Sequence, residues 1–166
     1  MPANNITRFL ESKHIPFQAF DLPVEKLGAI ETAGMLGVPL EQVFKTIVVT
    51  REKPGKPILA VVPGTADVNL KKLAAFLGEK KVHLPTQKEA EQLTHLQAGG
   101  ISPLALLNKG FAVILDQSAS NFDMIHISGG QRGLNIRLPV KALAELTQAR
   151  LADISSPSAE LSPPAP

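Results

Sequence analysis

Phe44-Lys45-Thr46-Ile47-Val48-Val49-Thr50 and Pro57-Ile58-Leu59-Ala60-Val61-Val62-Pro63 are two apolar runs joined by the polar stretch Arg51-Glu52-Lys53-Pro54-Gly55-Lys56. β-branched residues dominate the first run and recur in the second, and such side chains pack well on a pleated surface. The connection carries a Pro-Gly pair, which punctuates regular structure. The reading is a hairpin with strands over 45–50 and 57–63. In the first strand both faces of the alternation are apolar, so a covering layer is expected on each side of it.

Outward from the hairpin, helices and strands alternate. Upstream, Asn5 is placed to cap a helix over 6–13, a strand follows over 17–22, and a helix over 29–36 stops at Gly37. Downstream, a helix over 70–77 has Asp67 or Asn69 as cap and Gly78 as stop, and a short strand covers 81–84. Thr86 and Glu89 make a Thr-x-x-Glu capping box that opens a helix running to about Leu96. A helical turn after Pro103, strands over 111–115, 124–128 and 134–138, a turn near 118–122 and a last helix over 140–149 complete the pattern. Short strands joined both by turns and by helices favour a mixed α/β (α+β) domain over a doubly wound parallel sheet.

With 166 residues, 44% of them hydrophobic and 19% charged, the chain is long enough for one domain with a real core. The run Ser155 to Pro166 is Ser- and Pro-rich and is expected to be a disordered tail, leaving 1–154 as the folded domain. There is no cysteine, which removes disulfides, thiolate nucleophiles and sulfur-ligated zinc. No apolar run reaches membrane-spanning length and the N-terminus lacks the apolar core of a signal peptide, so a cytoplasmic protein is expected. A formal charge of +2 permits an anionic partner without requiring one.

Three features are candidates for a site. Lys45 sits on one face with Val43, Ile47 and Val49, where an ammonium either snorkels to water at the strand's start or points into an apolar-walled cleft to meet an anion. The segments Gly99-Gly100-Ile101-Ser102-Pro103 and Ser128-Gly129-Gly130-Gln131-Arg132-Gly133 each abut an apolar element. Glycine lets backbone N–H groups approach a ligand closely. Each loop also has a plain structural reading: Ser102-Pro103 has the order of a helix cap, and Ser128-Gly129-Gly130 that of a hairpin turn. The four histidines, His14, His83, His95 and His126, have no ligand spacing, so no metal is expected. His83 and His126 are read as strand-edge or partly buried residues. Lys71-Lys72 and Lys80-Lys81 are either solvated surface or phosphate contacts.

Val43-Phe44-Lys45-Thr46, Asn69-Leu70-Lys71-Lys72-Leu73, Gly99-Gly100-Ile101-Ser102-Pro103 and Ser128-Gly129-Gly130-Gln131-Arg132-Gly133-Leu134 occur in that order. Together they resemble the YbaK/EbsC family of trans-editing aminoacyl-tRNA deacylases. The resemblance implies a fold shared with the editing domain of bacterial prolyl-tRNA synthetases, a mixed α/β domain with a curved, barrel-like sheet. It implies removal of a wrong amino acid, cysteine first, from the acceptor end of tRNA for proline, with no cofactor and with prolyl-tRNA synthetase as a partner.

By the same resemblance Lys45, Gly100, Ser102 and Gly130 form the catalytic set. Thr46, Gly99, Ile101, Ser128, Gly129 and Asn135 bind substrate, and Lys71, Lys72 and Arg132 contact tRNA. The loop N–H groups are implied to anchor the aminoacyl carbonyl, where a developing oxyanion needs fixed donors. This sequence departs from the pattern at Asn135, where the cysteinyl deacylases often carry an acidic residue, and in having no tyrosine. The other readings are deacylation of alanyl or another mischarged tRNA, and a catalytically silent module that binds tRNA, a nucleotide or the synthetase.

Overall fold

The computed structural model describes residues 3–159. The hairpin is its centre: β2 (Phe44–Arg51) pairs antiparallel with β3 (Ile58–Pro63), from Phe44 opposite Pro63 to Val49 opposite Ile58. All six residues of β3 are buried. Its side chains alternate between two cores, as a period of two requires. Leu59 and Val61 join Phe44, Val48, Leu115, Ile127 and Ile136, whereas Ile58, Ala60 and Val62 join Val49, Leu73 and Ile114. The expected covering on both sides is therefore present.

β3 pairs in parallel with β6 (Ala112–Asp116), which pairs in parallel with β9 (Arg150–Ala152); β5 (Val82–His83) lies on the far edge of β2. The order of this five-stranded sheet is β5-β2-β3-β6-β9. A second, antiparallel sheet has the order β1-β8-β7, from β1 (Gln18–Asp21), β8 (Leu134–Pro139) and β7 (Met124–Ser128). An isolated bridge between Val43 and His126 links the two sheets. The architecture is mixed α/β, as expected, and no closed barrel forms among the described residues.

The helices start and stop where local chemistry directs. α2 (Ala29–Leu36) and α3 (Leu70–Leu77) both end on a left-handed glycine, Gly37 and Gly78. Asn69 caps α3 through Lys72 N, and the Thr86–Glu89 box opens α4 (Gln87–Thr94). At α1 (Asn5–Ser12) the cap is Asn4, one residue earlier than expected. Thr7 decides this: its N–H donates to Asn4 Oδ1 at 3.0 Å and its Oγ1 accepts from Asn4 N at 2.8 Å, a reciprocal pair that Asn5 has no equivalent residue to form. α5 (Val140–Thr147) packs on the core through Val140 and Leu143.

The tail expectation is corrected at its start. Ser155–Pro157 forms β10, antiparallel to β4 (Ala66–Val68), with Ser156 opposite Asp67. Two flanking bonds hold this pair: Asn69 N–H donates to Ile154 O at 2.7 Å and Ser158 N–H to Thr65 O at 3.0 Å. The open edge of β4 supplies partners that composition does not reveal. The rest of the expected tail, 160–166, lies outside the described residues. Among the described residues no helix is long and apolar enough to cross a membrane.

Candidate functional site

The two glycine segments meet in space. Arg132 Nε donates to Ala98 O at 2.7 Å, and Ser128 Oγ donates to Gly99 O at 3.4 Å. A Cβ on Gly100 would stand 2.8 Å from Gln131 Cα, so the loops touch backbone to backbone. α1 braces the second loop from outside. Asn4 Nδ2 donates to Gly129 O at 2.8 Å, and a Cβ on Gly130 would stand 2.6 Å from Ile6 Cδ1.

Beside the joined loops opens a cavity of about 240 Å³. One wall is the start of α2 with Gly28, Ala29 and Thr32, and another is the start of β2 with Phe44, Lys45 and Thr46. Gly99 and Ile101 of the first loop, and Ser128 and Asn135 of the second sheet, also line it. Lys45 is the one cation among the lining residues and Glu25 the one carboxylate. Lys45 Nζ donates to Asp67 Oδ1 at 3.1 Å with 29% of its side chain exposed. Lys45 thus lies on the cavity lining and also reaches an exposed carboxylate, so its position accommodates both readings.

Six of the expected site residues thus share one cavity: Lys45, Thr46, Gly99, Ile101, Ser128 and Asn135. Four others do not line it. Gly100, Gly129 and Gly130 sit in the packed junction, and their N–H groups donate within the chain, to Gln97 O, Leu134 O and Ser128 Oγ. Ser102 is fully buried and its Oγ accepts from Leu104 N at 3.2 Å, which is the capping use of a Ser-Pro start. By contrast, the N–H groups of Gly99 and Ile101 have no acceptor among the described residues. Among the loop residues that line the cavity, the N–H groups of Gly99 and Ile101 in the first loop and of Gly133 in the second are thus without an acceptor among the described residues.

The expected tRNA contacts are spread. Arg132 is spent across the loop junction. Lys72 Nζ donates to both carboxylate oxygens of Asp153 and to Ser155 O, while Lys71 is exposed beside it on α3.

His126, read from sequence as an edge or partly buried residue, is 1% exposed. Its Nδ1 lies 3.0 Å from Asn135 Oδ1, and Phe20 packs against its ring at 5.6 Å between centroids. Burial lowers its pKa from the ordinary 6.5; the Asn135 hydrogen bond opposes that shift and the nearby Arg137 charge adds to it. The folded chain then takes up a proton at lower pH than the unfolded chain does. His126 contributes stability in full above about pH 6.5, and that contribution falls as pH drops towards the lower folded value. Melting temperatures at pH 7.5 and 5.5 are expected to show a larger acid loss for the wild type than for His126→Leu.

The cavity beside the joined glycine loops therefore carries the Lys45 ammonium, the Asn135 amide and the Ser128 hydroxyl on its lining. The model of the aminoacyl-tRNA editing domain matches residues 25–146, and the chain belongs to that family. Its relatives include the Enterococcus faecalis protein named "Putative Cys-tRNA(Pro)/Cys-tRNA(Cys) deacylase EbsC", 34% identical over 92% of this chain and 93% of that protein. The proline–tRNA ligase of Geobacter metallireducens is 29% identical over 78% of this chain, which spans 22% of the ligase. Among solved structures, "a putative trans-editing enzyme for prolyl tRNA synthetase" superposes with a TM-score of 0.77 at 25% identity, covering 93% of this chain and 99% of that one.

Proposed function

We propose that this chain removes a mischarged amino acid from tRNA for proline, acting in trans, with cysteine as its principal substrate. The observation that carries the reading is the donor set on one cavity: the Lys45 ammonium, the Asn135 amide and the N–H groups of Gly99 and Ile101. Cysteine is the amino acid in the name of the EbsC relative.

An aminoacyl ester is already activated, so placement and oxyanion stabilisation carry the reaction without a protein base. In the substrate-assisted route the cysteinyl thiol attacks its own ester carbonyl. The C–S bond forms, the C–O bond to the terminal ribose breaks, and the thiol proton ends on the ribose hydroxyl that leaves. Lys45 holds the acceptor end through phosphate or ribose oxygen, and Glu25 is the lining residue suited to the substrate's α-ammonium. Ser102, Gly100 and Gly130 support the site by fixing the loops rather than by touching substrate. Lys71 and Lys72 extend the positive surface for the acceptor stem, and prolyl-tRNA synthetase is the partner that delivers it. The site of action is the cytoplasm, where that substrate is made.

Purified protein is incubated with Cys-, Ala- and Ser-tRNA(Pro) and with Cys-tRNA(Cys). Fastest clearance of Cys-tRNA(Pro) is the expected result. Preferential release of alanine would move the substrate, and tRNA binding without clearance of any ester would make the chain a binding module.

A further inference from the structure

His126 plays no part in the motifs that define the site, yet it is buried in contact with one of the residues that line it. β7 and β8 run antiparallel with Ser128 opposite Asn135 and His126 opposite Arg137. His126 and Ser128 therefore project from the same face of β7, and the imidazole meets Asn135 on the diagonal. The contact is 3.0 Å, from Nδ1 to the amide oxygen. The other ring nitrogen, Nε2, is buried with no partner among the described residues.

That orphaned nitrogen decides the protonation. A buried N–H without an acceptor is rare in folded proteins, more so than an unused acceptor. If Nε2 carried a proton, in the other neutral tautomer or in the cation, it would be such an N–H. The remaining state is neutral imidazole protonated at Nδ1, which donates to Asn135 Oδ1. Burial favours the same uncharged form.

A donor at Nδ1 fixes which way the Asn135 amide faces. Its oxygen is engaged at the back, and its nitrogen, which is paired with nothing among the described residues, belongs to a residue lining the cavity. We infer that His126 is a positioning residue: it locks Asn135 with the NH2 group towards the cavity, so that this side chain gives hydrogen bonds there and accepts none. A carboxylate at this position would present the opposite character and would attract the substrate's α-ammonium. Here Asn135 recognises an acceptor oxygen, the ester carbonyl of the bound aminoacyl group. This assignment of the ligand atom rests on the deacylase reading of the site; the orientation of the amide does not.

Two measurements test it. In 15N NMR of the full chain at pH 7.5, the His126 ring is expected to show a protonated Nδ1 and an unprotonated Nε2. A protonated Nε2 overturns the inference, whatever the enzyme does. Adding a hydrolysis-resistant 3′-amide-linked cysteinyl adenosine is expected to shift the Asn135 side-chain NH2 signals, and unmoved signals at saturation also overturn it.

In deacylation assays His126→Leu, which keeps bulk without a donor, is expected to lose about tenfold in kcat with KM little changed. His126→Asn restores an N–H near the Nδ1 position and is expected to recover to within about threefold of wild type. Wild-type kcat in folded His126→Leu would overturn the positioning role. Should the wild type clear no ester at all, the deacylase reading fails, and the NMR measurements still decide the orientation.

Discussion

Lys45→Ala is expected to cut deacylation by about 100- to 1,000-fold while the protein stays folded. The ammonium is the one positive charge on the cavity lining, so no neighbouring group can take over its electrostatic part. Its loss leaves Asp67 without a partner, but that carboxylate is 54% exposed and keeps its hydration. A solvent-exposed ion pair is worth about 1 kcal/mol or less, so the thermal transition should move little. Single-turnover deacylation of Cys-tRNA(Pro), read beside a circular-dichroism melt, checks both halves. Full activity in a folded Lys45→Ala chain would remove Lys45 from the mechanism.

Gly100→Ala should damage the site by a different route. The added methyl would lie 2.8 and 2.9 Å from Gln131 Cα and C and 3.0 Å from Arg132 N. All three are backbone atoms, so relief requires the loops to part. Parting them breaks the Arg132–Ala98 and Ser128–Gly99 hydrogen bonds and displaces Gly99 and Ile101, whose N–H groups face no other acceptor. A misplacement of about 1 Å costs about 100-fold in rate, and the strain should lower stability by about 1–3 kcal/mol. Gly34→Ala is the matched control. Nothing lies within 4 Å of its added methyl, and in mid-helix it should stabilise by about 0.5–1 kcal/mol and leave kcat/KM unchanged. Equal kinetics for Gly100→Ala and Gly34→Ala would show that the loop junction does not govern the chemistry.

The parts of the fold written in local chemistry were legible. The β2–β3 hairpin carries dense β-branched alternation, and Thr86, Asn69, Gly37 and Gly78 mark helix ends through bonds made within a few residues. What escaped depends on partners far along the chain. β9 and β10 are three residues each, too short to display a period, and β10 exists because β4 offers it an edge. Among the site residues, Lys45 and the glycine loops were visible as misfits in apolar surroundings. His126 was not, because Met124-Ile125-His126-Ile127-Ser128 reads as any half-buried strand. The one available signal was its place on the same strand face as Ser128, and it becomes informative only once the β7–β8 register puts Asn135 across from it. The N–H groups of the two loops show the same limit. Sequence nominates all the glycines alike, and only the folded junction shows that the N–H groups of Gly100, Gly129 and Gly130 bond internally while that of Gly99 does not.

The short strand at Ser155–Pro157 gives the C-terminal segment leverage over the cavity. It clasps the strand that carries Asp67, with Ser156 directly opposite that residue, and Asp67 in turn holds the ammonium of Lys45. The same segment engages Lys72 through Ser155 O. Trimming the chain at Ile154, where the composition turns to serine and proline, would therefore do more than shed a tail. It would release Asp67 from its backing and set the Lys45 side chain loose at the mouth of the site.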